Sequence, residues 1–197
     1  MMNEKKLSAI ESLEIIQSIL DQTKQKYEEK GFTILVWGSL ILLTSVAQYL
    51  LLTTGNADKI GYLWLFTVVP GSITTFIVKF IEGAKSKERK QNRDRMGFIW
   101  LMASFMALVT GFLLQDISDH IFITMIWAPF CVAGLSTGLY LREHLLIAMS
   151  ILAAILAFSA VFIPVSLQSL LNALIALVLM VIPGLKLYQD FKKRNRV

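Results

Sequence analysis

Residues 145–164 read LLIAMSILAAILAFSAVFIP, and two residues later 167–188 read LQSLLNALIALVLMVIPGLKLY; between His144 and Lys186 there is no Asp, Glu, Lys or Arg. A helix needs about 20 apolar residues to cross a hydrocarbon core roughly 30 Å thick. The two runs meet that length, and Pro164 and Ser166 between them are turn and cap residues. A pair of membrane-spanning helices is predicted.

Moving towards the N-terminus, the same pattern recurs at 32–54, 60–81, 97–117 and 121–141. Gly55, Asn56 and Asp58 separate the first two runs, Asp116, Ser118 and Asp119 the third and fourth, and Arg142, Glu143 and His144 the fourth and fifth. The expected fold is all-α: a polytopic transmembrane bundle of six helices as three consecutive hairpins, preceded by an amphipathic cytosolic helix. The chain divides into that helix at 1–31, the transmembrane domain at 32–188 and a basic cytosolic tail at 189–197.

Composition agrees, with 55% hydrophobic and 17% charged residues against about 45–50% and about 25% in soluble domains. The charged residues sit in short blocks between long uncharged stretches. The net charge of +5 therefore belongs to loops, and no nucleic-acid partner is expected. The single cysteine, Cys131, lies in an apolar run and supports neither a disulfide framework nor a thiolate metal site within one chain. The opening Met1 to Lys6 is polar and no apolar signal core follows, so no cleavable signal peptide is expected.

Of the 19 basic residues, all but Lys59 fall in the N-terminal segment, around the second linker, at Arg142 or at the C-terminal end. By the positive-inside rule that side is cytoplasmic. Both termini are then expected in the cytoplasm, which requires an even number of crossings.

Weak internal similarity accompanies the hairpins. Gly31-Phe32 and Gly97-Phe98 open the first and third runs, each with a threonine thirteen residues after the glycine, Thr44 and Thr110. Each even-numbered run carries a proline, Pro70, Pro129 or Pro183, a candidate helix bend because proline removes a backbone donor. Small residues at four-residue spacing, Gly134 and Gly138, and Ala103, Ala107 and Gly111, are candidate sites of close helix packing.

Ahead of the first run, Ser8 and Glu11 form a capping box. Ala9, Leu13, Ile16, Leu20, Thr23 and Tyr27 alternate spacings of four and three, which places them on one narrow stripe. Gly31 reads as the stop of that helix. Leu13, Ile16, Leu20 and Tyr27 are the candidate interaction stripe. Three uses fit it: packing against another copy or a partner helix, lying at the bilayer interface, or docking on this chain's own basic loop. That loop, Lys85 to Arg95, has its own two readings, attraction to anionic headgroups and docking of a cytoplasmic partner.

Within the runs no charged residue lies deep in the bilayer, where such groups mark proton relays, voltage sensors and ion sites. The outer turn Asp116-Ile117-Ser118-Asp119-His120 brings two carboxylates and an imidazole together, but the capping role of Ser118 or Asp119 suffices to explain it. No HExxH, GxSxG, P-loop or dinucleotide fingerprint is present. Neither catalysis, nor a metal, nor a cofactor is expected.

Glu11-Ser12-Leu13-Glu14-Ile15-Ile16, Thr23-Lys24, and Gly31-Phe32 running into Trp37-Gly38 resemble the start of a group of small, uncharacterised bacterial multi-pass membrane proteins with a cytosolic helix before the first span. The likeness covers mainly the first fifty residues. It implies a bacterial inner-membrane location and supplies no activity or site. Beyond the lipid bilayer itself, the expected partner is a second copy or another protein on the cytoplasmic face, and the expected role is that of a regulatory or accessory subunit. The alternative is a small transporter or permease-like subunit for a neutral or lipophilic compound, with a polar-lined cavity near the midplane among Thr67, Ser72, Ser136, Thr137 and Asn172.

Overall fold

The structure, a computed structural model, describes residues 31–85, 95–113 and 119–194 together with Ile15, Gln17, Ser18 and Glu28. These residues are helical apart from short turns, and no strand occurs among them. Helix α1 spans Gly31–Thr53, α2 Ile60–Lys85, α3 Arg95–Leu113, α4 Asp119–Leu141 and α5 His144–Ser159. The last span is built of α6, Val165–Ala176, a π-helical segment Leu177–Val181, and α7, Ile182–Arg194.

Five of these rods are long and apolar enough to cross a membrane: Gly31–Thr53, Ala57–Ile81, Ile121–Leu141, His144–Phe162 and Val165–Arg194. Gly97–Gly111, inside α3, is a shorter apolar helix.

The turns show why the helices stop where they do. At the end of α1, Gly55 adopts φ +76, and the amide of Asn56 reaches back to the carbonyl of Leu51 at 2.9 Å while that of Gly55 reaches Leu52 at 3.4 Å. This is a Schellman cap, and glycine is the residue that enters its left-handed position without strain. The same pair of bonds ends α4, from Glu143 to Gly138 at 2.9 Å and from Arg142 to Leu139 at 3.3 Å, but here Arg142 holds the left-handed position at φ 55. The α5–α6 turn is short, a 3-10 segment Ala160–Phe162 followed by Pro164. Buried Gln168 donates to the carbonyls of Ala160 and Ile163, each at 3.3 Å, beside the backbone bond from the Ile163 amide to the Ala160 carbonyl at 3.1 Å, which closes the turn.

The prolines behave differently. Both α2 and α4 run uninterrupted through Pro70 and Pro129. Pro183 is the second residue of α7, one residue past the π-helical segment. Its ring has no N–H and crowds the carbonyl four residues back, that of Leu179. A widened turn is one of the ways a helix absorbs that conflict.

Contacts between helices run in a single order. The first span α1 lies along the whole of α6, the π segment and α7; α6 and the π segment also meet α5, and α5 packs on α4. Of the outer helices, α2 packs mainly on α1, and α3 mainly on α4. The bundle is therefore an open crescent, α2–α1–α6/α7–α5–α4–α3, in which helices adjacent in sequence across the 86–94 linker stand at opposite tips. Trp127, Cys131, Ala153, Ala157, Leu171, Ile175 and Leu179 fill its centre. The tips carry large apolar side chains on their surfaces, among them Tyr62, Phe66, Phe76 and Phe80 on α2 and Phe98, Phe105 and Met106 on α3.

Candidate functional site

Every tryptophan of the chain uses its indole N–H to bond a side chain on a neighbouring helix. Trp37 donates to Thr75 Oγ1 at 2.9 Å and Trp64 to Gln48 Oε1 at 3.0 Å, both across the α1–α2 seam. Trp100 donates to Thr137 Oγ1 at 3.2 Å across α3–α4. Trp127 donates to Asn172 Oδ1 at 2.5 Å across α4–α6. A large amphipathic ring thus supplies packing area on both sides of a seam and fixes its register with one directional bond.

The bond from Trp127 continues. Asn172 Nδ2 donates to Ser45 Oγ at 2.7 Å, and Ser45 Oγ donates to the carbonyl of Ile41 at 2.7 Å. Four groups on α4, α6 and α1 form one connected polar chain through the middle of the bundle. Thr44 and Thr67 are hydrogen-bonded between α1 and α2, and Thr124 donates to the carbonyl of Ala157 at 2.6 Å between α4 and α5.

Two ion pairs stand at one end of the bundle. Lys186 Nζ lies 2.9 Å from Glu143 Oε2, tying α7 to the α4–α5 turn. Arg194 Nη2 lies 2.8 Å from Glu28 Oε1, tying the end of α7 to the segment preceding α1. Beside the second pair, the rings of Phe32 and Tyr188 pack at a centroid distance of 5.9 Å.

Three glycines let α1 and the last span touch backbone to backbone. A Cβ built on Gly31 would lie 2.6 Å from the amide nitrogen of Tyr188, one on Gly38 2.6 Å from Met180 Cβ, and one on Gly184 2.9 Å from the amide nitrogen of Leu35. Gly31, the first residue of α1, is therefore a site of close approach. The sequence carries a signal for it, since Gly31 and Gly38 are one heptad apart and share a face, but that pattern competes with the reading of Gly31 as a helix stop.

The other small residues distribute unevenly. Gly134 lies against Ser150 and Leu179, and Gly138 against the backbone of Leu146 and Ile147, so this pair forms the α4–α5 contact. Ala103 is buried and Ala107 half-buried on α3, whereas a Cβ on Gly111 would meet no described atom within 4 Å. The stripe residues Leu13, Ile16, Leu20 and Tyr27, the linker 86–94 and the outer-turn residues 116–118 lie outside the described residues.

The polar residues that would line a transport cavity occupy separate places. Thr67 is in the α1–α2 seam, Thr137 in the α3–α4 seam and Asn172 in the central chain, while Ser72 is on the exposed face of α2. A cavity of about 510 Å³ between α4 and α5 is apolar, lined by residues such as Val132, Leu135, Ile151, Ile155 and Phe158, and opens on the outer surface of the bundle.

Over 73 residues the chain is 36% identical to the uncharacterized membrane protein YrzE of Bacillus subtilis (strain 168). The chain is a multi-pass membrane protein. The matching region is 37% of this chain and 48% of the relative, so the chain spans about half the length of the curated relative it matches. No family model matches, and no solved structure matches significantly.

Proposed function

We propose that the chain is a non-enzymatic, six-span protein of the bacterial cytoplasmic membrane, with both termini in the cytoplasm, acting as a regulatory or accessory subunit through its N-terminal segment and basic loop. The observation that carries this reading is the division of polar chemistry. Inside the bundle the indoles, amide and hydroxyls described above bond one another across helix seams, which is structural use. The ion pairs stand at one rim, where the basic residues of the sequence also cluster.

Six crossings are supported by length and by parity. At 1.5 Å per residue the 19 residues of α3 extend about 28 Å, close to the thickness of the hydrocarbon core. The pairing of Glu28 with Arg194 puts the start of the first span and the end of the last at one rim, a geometry that an even number of crossings satisfies.

The test is affinity purification of the full chain from a bacterial membrane in mild detergent, beside a variant lacking residues 1–30, with mass spectrometry of co-purifying proteins and small molecules. A protein partner or self-association lost on deletion is the expected outcome. Unchanged partners and oligomeric state in the deletion variant would remove the interaction reading, and a stoichiometric small molecule retained by both would favour transport.

A further inference from the structure

We propose that the apolar cavity between α4 and α5 is a binding groove for one acyl chain of a membrane phospholipid, taken from the leaflet that borders the α5–α6 turn. Its lining lies wholly within two helices long and apolar enough to cross a membrane. Buried Cys131 and Ser150 and half-buried Ala154 make the floor, and exposed Val132, Ile155 and Phe158 make the lips. Small residues below and large ones above turn a helix seam into a channel. Because it opens on the surface that a membrane protein turns to lipid, the channel is continuous with the hydrocarbon around the bundle.

Polarity and size select the occupant. Both hydroxyls on the lining bond to their own helix, Ser150 Oγ donating to the carbonyl of Leu146 and Ser159 Oγ to that of Leu156, each at 2.7 Å. They stand about 13 Å apart along α5, too far to hold an ordered water, which needs about three polar partners. From Ser150 to Phe162 the chain rises about 18 Å, against about 15 Å for one half of the hydrocarbon core. A volume of about 510 Å³ spread over that length gives a section of roughly 30 Å², about 6 Å across. A partner helix, about 10–12 Å in diameter with its side chains, is too wide. A hydrocarbon chain, whose carbons sit about 4 Å from their neighbours, is not.

The groove also has a direction. Gly134 packs on Ser150 and Gly138 on Ile147, closing the seam at the end nearer the Lys186–Glu143 pair. At the other end Phe162 stands 88% exposed in the α5–α6 turn. The acyl chain therefore enters beside Phe162, with its headgroup at the turn and its methyl end at Cys131 and Ser150. Such a site needs no partner protein and stands apart from the accessory-subunit reading.

Photolabelling of the full chain in phospholipid nanodiscs tests it, using phosphatidylethanolamine that carries a diazirine either at the end of one acyl chain or close to the glycerol, with adducts mapped by peptide mass spectrometry. The terminal probe is expected to label 131–135 and 150–155, and the proximal probe 158–162. A preference of about 1 kcal/mol for the groove over bulk contact reads as labelling about five-fold above that of the exposed apolar face of α2. A154F, which fills the channel from its floor, is expected to bring groove labelling down to the level of α2, and L139F, at an exposed position of α4 outside the lining, to leave it as in wild type. Equal labelling of groove and α2 in wild type would overturn the proposal, as would the same map from both probes or undiminished groove labelling in folded A154F. The wild-type maps need no variant, so they decide even if A154F does not fold. With benzoylphenylalanine in place of Val132, activated in native membranes, adducts of phospholipid mass are expected; an adduct of protein mass, from a second copy or another helix, would overturn the choice of occupant.

Discussion

Asn172 is the residue on which three helices depend, since its amide both accepts from Trp127 and donates to Ser45. Replacing it by leucine keeps the bulk and removes both bonds, leaving an indole N–H in the bundle centre without its acceptor. Interhelical side-chain bonds in membranes contribute about 0.6 kcal/mol on average and up to about 1.7. Asn172→Leu is therefore expected to destabilise the bundle by about 1–3 kcal/mol once the desolvated donor is included. Ser45→Ala should cost less, and the double variant less than the sum, because the residues share one bond. Unfolding of the purified protein in mixed micelles gives these values, and strict additivity would show that no coupled chain exists. The glycines supply a second contrast. A methyl on Gly38 meets Met180 Cβ at 2.6 Å and the backbone of Val181 at 3.0 Å, whereas one on Gly111 meets nothing described within 4 Å. Gly38→Ala is expected to cost about 1–3 kcal/mol by overpacking; Gly111→Ala is expected to be neutral or to stabilise by up to about 1 kcal/mol through helix propensity. Similar losses in both would contradict the packing described.

Among the described residues α3 rests mainly on α4 and is tied to it by one side-chain hydrogen bond, Trp100 to Thr137, where three tie α2 to α1. Trp100→Phe retains a ring beside Phe130, whose centroid lies 6.3 Å from that of Trp100, and deletes the bond. Hydrogen exchange is expected to rise in 97–111 and to stay unchanged in α5 and α6; acceleration throughout would mean that α3 is not an independent tip. The position of α3 also marks where sequence reasoning stops. The all-helical, apolar character of the chain was legible because bilayer thickness imposes a length on any uncharged helix, and five helices long and apolar enough to cross a membrane are present among the described residues. Turn chemistry at Gly55 and Pro164 was legible because it is local. Hydropathy carries no information on which span faces which, since lipid and helix surfaces are equally apolar. The partners of the tryptophans, the placing of α2 and α3 at opposite tips, and the contact of Gly31 with α7 all depend on that choice. Pro183 is an intermediate case: the sequence marks a bend, but widening of the turn into the π segment 177–181 is resolved where Gly38 packs against Met180 and Val181. Among the candidate sites, Gly134 and Gly138 were legible as a close-packing pair because GxxxG encodes its own function, whereas a lone glycine such as Gly111 looks the same whether or not a helix lies against it.

For the molecule as a whole, the outstanding physical question is the direction in which the crescent sits in the membrane, and its charges determine the expected answer. The basic residues other than Lys59 lie at one end of the spans in the proposed topology, the end at which Glu28 meets Arg194 and Glu143 meets Lys186. Retaining lysine and arginine on the cytoplasmic face is the strongest orientation signal available to short loops, so Asn56, Ser118 and Ser166 should face outward and Lys87, Arg142 and Asn195 inward. With Cys131 replaced by alanine, single cysteines at these six positions can be challenged in intact cells with a membrane-impermeant maleimide. Labelling is expected at 56, 118 and 166 without permeabilisation, and at 87, 142 and 195 only after it. The decisive positions are 87 and 118, which flank α3. If both react from one side, α3 does not cross, the number of crossings becomes odd, and the ends of the chain fall on opposite faces. That outcome is incompatible with an ion pair between Glu28 and Arg194, so one labelling pattern tests the topology and the rim contact together.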